Sequence, residues 1–232
     1  MNTLNTFLLV VFPYVAGIVF LVGVTYRYRQ TGFTVSSLSS QFLEGDKLFW
    51  GAVPFHLGLM VVFFGHLLAF LLPSATLAWN SVPVRLIILE VSAFVFGVRL
   101  IILEVSAFVF GLSLLFGLLS LLWRRLTNPR VRVVTSRMDI VIEVLLLAQV
   151  VLGCWVALGF RWGSSWFAAD LTPYLWSLLA FNPQPDAVFA LPWVIKLHIV
   201  GAFLILFMVP FTRLVHLVVM PLHYIVRPYQ VV

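Results

Sequence analysis

The chain has 232 residues, 62% of them hydrophobic and only 9% charged, with a net charge of +6. Soluble domains average about 25% charged residues, so a soluble globular protein is excluded. The excess of arginine belongs to loops that set membrane orientation, not to a nucleic-acid surface. One cysteine, Cys154, rules out an intrachain disulfide, covalent C-x-x-C-H haem attachment and any cysteine-ligated zinc or iron–sulfur centre.

A helix crosses a bilayer with about 20 apolar residues. Five such runs occur, at about 6–26, 49–72, 84–123, 139–160 and 190–220, within a single membrane domain covering 1–232. The first run lacks a basic stretch before it and reads as a span, not a cleavable signal. Arg27, Arg29 and Lys47 follow span 1. Arg124, Arg125, Arg130, Arg132 and Arg137 follow span 3, and Arg213 and Arg227 lie at the end of span 5. The connections on the other side hold only Arg161. The fold class is therefore an all-α integral membrane protein of five helices, N-terminus outside and C-terminus cytoplasmic.

Span 3 contains an identical tandem repeat, VRLIILEVSAFVFG, at 84–97 and 98–111. Each copy adds about 21 Å of helix at 1.5 Å per residue, so one copy suffices to cross and two overshoot. The identity of the copies points to a recent duplication or an assembly error. One copy, 84–97, is expected to be displaced beyond the outer boundary; a continuous helix projecting outward is the alternative. Beyond span 4, the 161–189 connection is rich in tryptophan and proline. Trp162, Trp166, Tyr174 and Trp176 suit the headgroup level, and 171–181 reads as a short interfacial helix. An aromatic belt and a lid over a lipophilic substrate explain it equally well.

Five histidines remain to be explained. His56 and His66 lie on span 2, His198 and His216 on span 5, and His223 beyond it. Ionisable residues inside a membrane are costly and mark function by default. Because the two spans run in opposite directions, His66 pairs with His198 near the outer side and His56 with His216 near the cytoplasm. The spacing of eighteen residues on span 5 is five helical turns, which puts His198 and His216 on one face. The ten-residue spacing on span 2 leaves its rings about 80° apart. Two opposed imidazoles at each of two depths suit two non-covalent b-type haems, with the four histidines as axial iron ligands. Gly58, Gly65, Ala69, Gly201 and Ala202 leave room for a flat macrocycle. Structural histidines or a proton path are the alternatives. A zinc site would need clustered ligands with carboxylate or thiolate company. Arg213, one turn before His216, is a candidate propionate partner, as are Arg124 and Arg125, for which loop anchoring serves equally well.

The motifs PYVAG (13–17), FHLG (55–58), GH (65–66), NPRVR (128–132), KLHIVGAFLILFMVPFTRLVH (196–216) and the tail PLHYIVRPYQVV resemble the membrane cytochrome b (gamma) subunits of respiratory nitrate reductases over nearly the whole length. The resemblance implies a distal haem b on His66 and His198 and a proximal haem b on His56 and His216. It also implies quinol as substrate, oxidised near the distal haem. Electrons would pass to an iron–sulfur beta subunit and a molybdenum alpha subunit on the cytoplasmic face of a bacterial or archaeal inner membrane. The family's basic residue at the outer end of span 3 is associated with the quinol site. Here the repeat offers Arg85 and Arg99, with Arg99 favoured by its distance from Arg124 and Arg125; Gly65 is a further candidate at that site. No nitrate-reducing site exists in the chain itself. The rival readings are a gamma-like cytochrome b subunit of a sulfur-metabolism complex and a haem-free transporter or assembly factor.

Overall fold

The structure, a computed structural model, describes residues 3–30, 48–80, 89–160 and 163–218; for 89–104 it describes the backbone alone. Among the described residues every element is helical. The principal helices among the described residues are α1 (Thr3–Gln30), α2 (Leu48–Leu71), α3 (Pro73–Asn80), α4 (Leu89–Thr127), α5 (Pro129–Val133), α6 (Arg137–Gly159), α7 (Thr172–Leu179) and α8 (Trp193–Met208). Five helical stretches are long and apolar enough to cross a membrane: Thr3–Gln30, Phe49–Leu71, Val105–Thr127, Arg137–Gly159 and Trp193–Phe211. Their most apolar windows are only 11–28% buried by the protein itself. Leu21, Phe64, Leu68, Trp155 and Leu158 are all more than half exposed. A surface this apolar needs lipid against it.

The chain divides into two compact units, one of residues 1–49, 122–146 and 200–232, the other of 50–121 and 147–199.

In the first unit α1 widens into a π-helical turn at Phe7–Val11 before continuing as α-helix. Its Phe12 meets Phe207, which in turn meets Phe211. Phe20 and Val24 pack on buried Val209 and Val215. The α-helical part of the last span ends at Met208, and a 3₁₀ turn covers Val209–Phe211. Pro210 has no N–H to give the preceding turn, and Thr212 is extended at φ −122°, ψ 175°. A second 3₁₀ turn, Arg213–Val215, starts under a Thr212 cap whose hydroxyl accepts from the Leu214 N–H at 3.3 Å. The helix expected over 190–220 is thus broken between its two histidines. Five uninterrupted turns do not relate His198 to His216, and the argument that they share one face fails for that reason. At the start of α6, Ser136 and Asp139 form a reciprocal cap. The Asp139 N–H donates to Ser136 Oγ at 3.2 Å, and the Ser136 N–H donates to Asp139 Oδ2 at 2.9 Å.

In the second unit α2 and α4 run antiparallel in backbone contact. A Cβ on Gly58 would stand 2.6 Å from the Phe110 carbonyl oxygen, and one on Gly117 would stand 2.5 Å from Phe55 N. Small residues permit this approach, the usual device for packing helices where lipid removes the hydrophobic incentive. Ser113 adds a hydrogen bond to the Pro54 carbonyl at 3.2 Å. The bare side of Gly58, expected to make room for a macrocycle, is filled by α4. Helix α4 runs without a break from Leu89 to Thr127, 39 residues and about 58 Å at 1.5 Å per residue. The second repeat copy therefore follows the first within one helix from Leu89 onward. Residues 84–88 lie outside the described residues.

The connection after α6 folds onto the end of α2. Thr172 Oγ1 donates to the Ala69 carbonyl at 3.4 Å and Trp176 Nε1 to the Phe70 carbonyl at 3.1 Å. The Trp176 ring stacks on Phe70 at 5.0 Å. A helix does form at Thr172–Leu179, close to the expected 171–181. Tyr174, however, is 1% exposed and belongs to the packed interior of this unit, not to a headgroup belt.

Candidate histidine-ligated cofactor sites

The imidazoles on α2 share one arrangement. His56 Nδ1 lies 2.7 Å from the Ala52 carbonyl oxygen, and His66 Nδ1 lies 2.8 Å from the Val62 carbonyl oxygen, each one turn back along the helix. A carbonyl only accepts, so Nδ1 carries the hydrogen in both rings, and in the neutral imidazole the lone pair is left on Nε2. His216 repeats the device within the other unit, where its Nδ1 donates to the Arg213 carbonyl. Two rings on a membrane-length helix, and a third just past the end of the last span, therefore present Nε2 as a ligand atom, with the second nitrogen tied to the backbone. A metal-bound imidazole usually has its second nitrogen held in this way.

Both α2 rings are exposed. Phe55 meets His56 edge-on at 4.9 Å, and Phe167 meets His66 edge-on at 5.3 Å. Phe167 opens a π-helical turn, Phe167–Leu171, a rare geometry found mostly at functional positions. Gly65, beside His66, has nothing within 4 Å of where a Cβ would stand, so that side of the helix is open.

His198 is set differently. A Cβ on Gly153 of α6 would stand 3.0 Å from its Cε1, so the ring packs closely on the bare side of that glycine. Gln149, one turn earlier on α6, donates Nε2 to the His198 main-chain carbonyl at 2.9 Å. His198 Nδ1 and Gln149 Oε1 are both buried without a hydrogen-bond partner among the described residues. Buried polar atoms normally find partners, so this corner is unfinished as protein alone. Among the described residues no three His, Cys, Asp or Glu side chains converge. An iron porphyrin, which supplies four nitrogens and asks the protein for two, suits such a sparse set of donors. The residues present fit the group.

The expected arginines divide. Arg213 Nη2 is 3.0 Å from Asp139 Oδ2 and donates to the Val134 carbonyl at 2.8 Å. Arg125 Nε is 2.9 Å from Glu143 Oε2 and its Nη1 is 3.7 Å from Asp139 Oδ2. Asp139 and Glu143 are 4% and 5% exposed, and Arg124 is buried as well. The guanidinium offered to a propionate is thus engaged inside the protein, and so is that of Arg125. Arg99 lies on α4 with its side chain outside the described residues; Arg85 and His223 lie outside them altogether. Gly153, Gln149 and Phe167 join the site only through the fold, with no signal in their sequence neighbourhood. The pair Asp139 and Glu143 did carry a visible signal, their spacing of four on an apolar helix.

Five membrane-length helices, with imidazoles tied to the backbone on an apolar one, define an all-helical, multi-pass membrane protein. The chain matches the nitrate reductase gamma subunit family over residues 5–232 and belongs to it. It is similar to the respiratory nitrate reductase 2 gamma chain of Escherichia coli, 32% identical over 99% of this chain and 96% of the relative. The respiratory nitrate reductase 1 gamma chain of the same organism is 30% identical over 100% and 98%. The nitrate reductase gamma chain of Bacillus subtilis is 31% identical over 95% and 94%. It is accordingly a membrane subunit of an oxidoreductase complex.

Proposed function

We propose that this chain is the quinol-oxidising membrane subunit of a respiratory nitrate reductase, binding two haems b without covalent attachment. His66 and His198 would hold the distal haem and His56 and His216 the proximal one. When bound, the two haems supply one-electron carriers between the two faces of the membrane. The observation that carries this reading is the Nδ1–H to carbonyl bond shared by His56, His66 and His216, which leaves the lone pair of each ring on Nε2. Family membership favours nitrate reductase over the sulfur-metabolism and transporter alternatives.

The N-terminus lies outside and the C-terminus in the cytoplasm of a bacterial or archaeal inner membrane, in keeping with the arginines of the 3–4 connection. Quinol enters beside His66, where Gly65 leaves the helix side open and Phe167 borders the ring. Arg99 is the favoured basic residue for the quinol oxygen and Arg85 the second candidate. Oxidation of quinol sheds two protons, to the outside, and two electrons, to the cytoplasmic side. There they serve an iron–sulfur beta subunit and a molybdenum alpha subunit. The test is turnover in membranes: quinol-dependent nitrate reduction requires this chain, while nitrate reduction from a soluble dye donor does not. Quinol-dependent turnover in its absence would contradict the reading.

A further inference from the structure

His216 sits on a piece of chain that its own helix does not hold. The α-helical hydrogen bonding of α8 stops at Met208, Pro210 cannot donate and Thr212 is extended. Such a break leaves carbonyl groups that need donors from elsewhere. Arg27 of α1 supplies them: its Nη1 donates to the Pro210 carbonyl at 3.1 Å and to the Thr212 carbonyl at 3.2 Å. One residue on, Arg213 is fixed by Asp139 Oδ2 at 3.0 Å and by the Val134 carbonyl at 2.8 Å. The Arg213 carbonyl then takes the His216 Nδ1 hydrogen. Asp139 is itself immobilised, 4% exposed and locked in the reciprocal cap with Ser136. Two clamps from α1 and α6 stand where helix turns would otherwise be.

We propose that Arg27 and Asp139 are positioning residues for His216, fixing the tautomer and aim of its ring through the main chain of residues 210–213. Neither touches the ring. Arg27 secures the break, and Asp139 orients Arg213, whose carbonyl in turn orients the imidazole. A carbonyl bonded to the distal nitrogen of a metal-bound imidazole raises its basicity and sets its plane, so disturbing either clamp alters the iron that His216 ligates. The proposal rests on the haem reading above.

The test uses membranes containing the whole complex, with Arg27→Gln, Asp139→Asn and Asp139→Glu. Asp139→Asn keeps size and the Ser136 cap but removes the charge that holds Arg213. The readouts are pyridine haemochrome, low-spin haem EPR and the midpoint potential of each haem. Arg27→Gln and Asp139→Asn are each expected to shift the EPR line and potential of the proximal haem, or to lower its occupancy at least twofold. The distal signal in the same sample should be unchanged, and Asp139→Glu should restore part of the proximal signature. Unchanged proximal signals in both variants, or equal loss of both haems, would overturn the positioning role. A wild-type chain that binds no haem would overturn the haem reading instead, and this proposal with it.

Discussion

Gly153 of α6 lies against the imidazole of His198, so near that a Cβ would stand 3.0 Å from Cε1. A methyl group there would require the ring to give by a few tenths of an ångström, and a larger side chain would require more. Gly153→Val should therefore displace His198 at an overpacking cost of about 1–3 kcal/mol. We expect loss of the distal haem signal while the proximal one persists. Gly153→Ala, which asks for only a small shift, should keep both haems with an altered distal EPR line. Visible and EPR spectra of the variants check this.

The four ligand assignments predict separable losses. His66→Ala and His198→Ala should each remove one spectral component together with quinol oxidation. His56→Ala and His216→Ala should each remove the other component and halt electron delivery. His223→Ala should remove neither. Redox titration of the resolved components would expose a wrong pairing if His56→Ala and His66→Ala abolished the same one.

The five spans were legible because about 20 consecutive apolar residues satisfy both the bilayer and the helix. The histidines stood out as polar groups that hydrocarbon penalises. What lay beyond reach was tertiary. Counting five turns from His198 to His216 assumed a continuous helix, and Pro210 with Thr212 ended it. Proline signals a break, but only the structure shows that Arg27 caps it. Gly58 was read as room for a cofactor because composition cannot say which neighbour takes the space; α4 does. Asp139 and Glu143 were visible as a pair, yet their partners Arg125 and Arg213 come from different segments, which local spacing does not reveal. Gly153 offered no signal until its neighbour was known.

The buried pair of Arg125 and Glu143 makes a stability prediction. Glu143 is 5% exposed and its Oε2 is 2.9 Å from Arg125 Nε. Removing one partner leaves a buried carboxyl unpaired, and because the carboxyl can take up a proton the cost is about 1–3 kcal/mol. Arg125 is only partly buried, so Arg125→Ala should fall near the lower end. Adding Glu143→Gln should recover much of the loss. Thermal inactivation of the detergent-solubilised protein measures both; strict additivity of the two changes would show that the pair does not interact.

Deleting 84–97 shortens span 3 by fourteen residues, close to four turns of helix. Among the described residues, α4 meets α2 through Gly117, Ser113 and the Phe110 carbonyl, at or beyond the second copy. The shortened protein should keep both haems, quinol oxidation and equal or greater thermal stability. Loss of either haem in that variant would show that the first copy contributes to the working structure.

The proposed function requires two bis-histidine haems b held without covalent attachment, since the single cysteine lies outside any attachment motif. The most direct measurement is haem stoichiometry by pyridine haemochrome on the purified chain from haem-replete cells, with a reduced-minus-oxidised spectrum of the same sample. The expected result is two haems b per chain, fully extractable by acid acetone and resolved into two redox components. A chain that purifies folded with clearly fewer than two haems, or with haem that resists extraction, would contradict it.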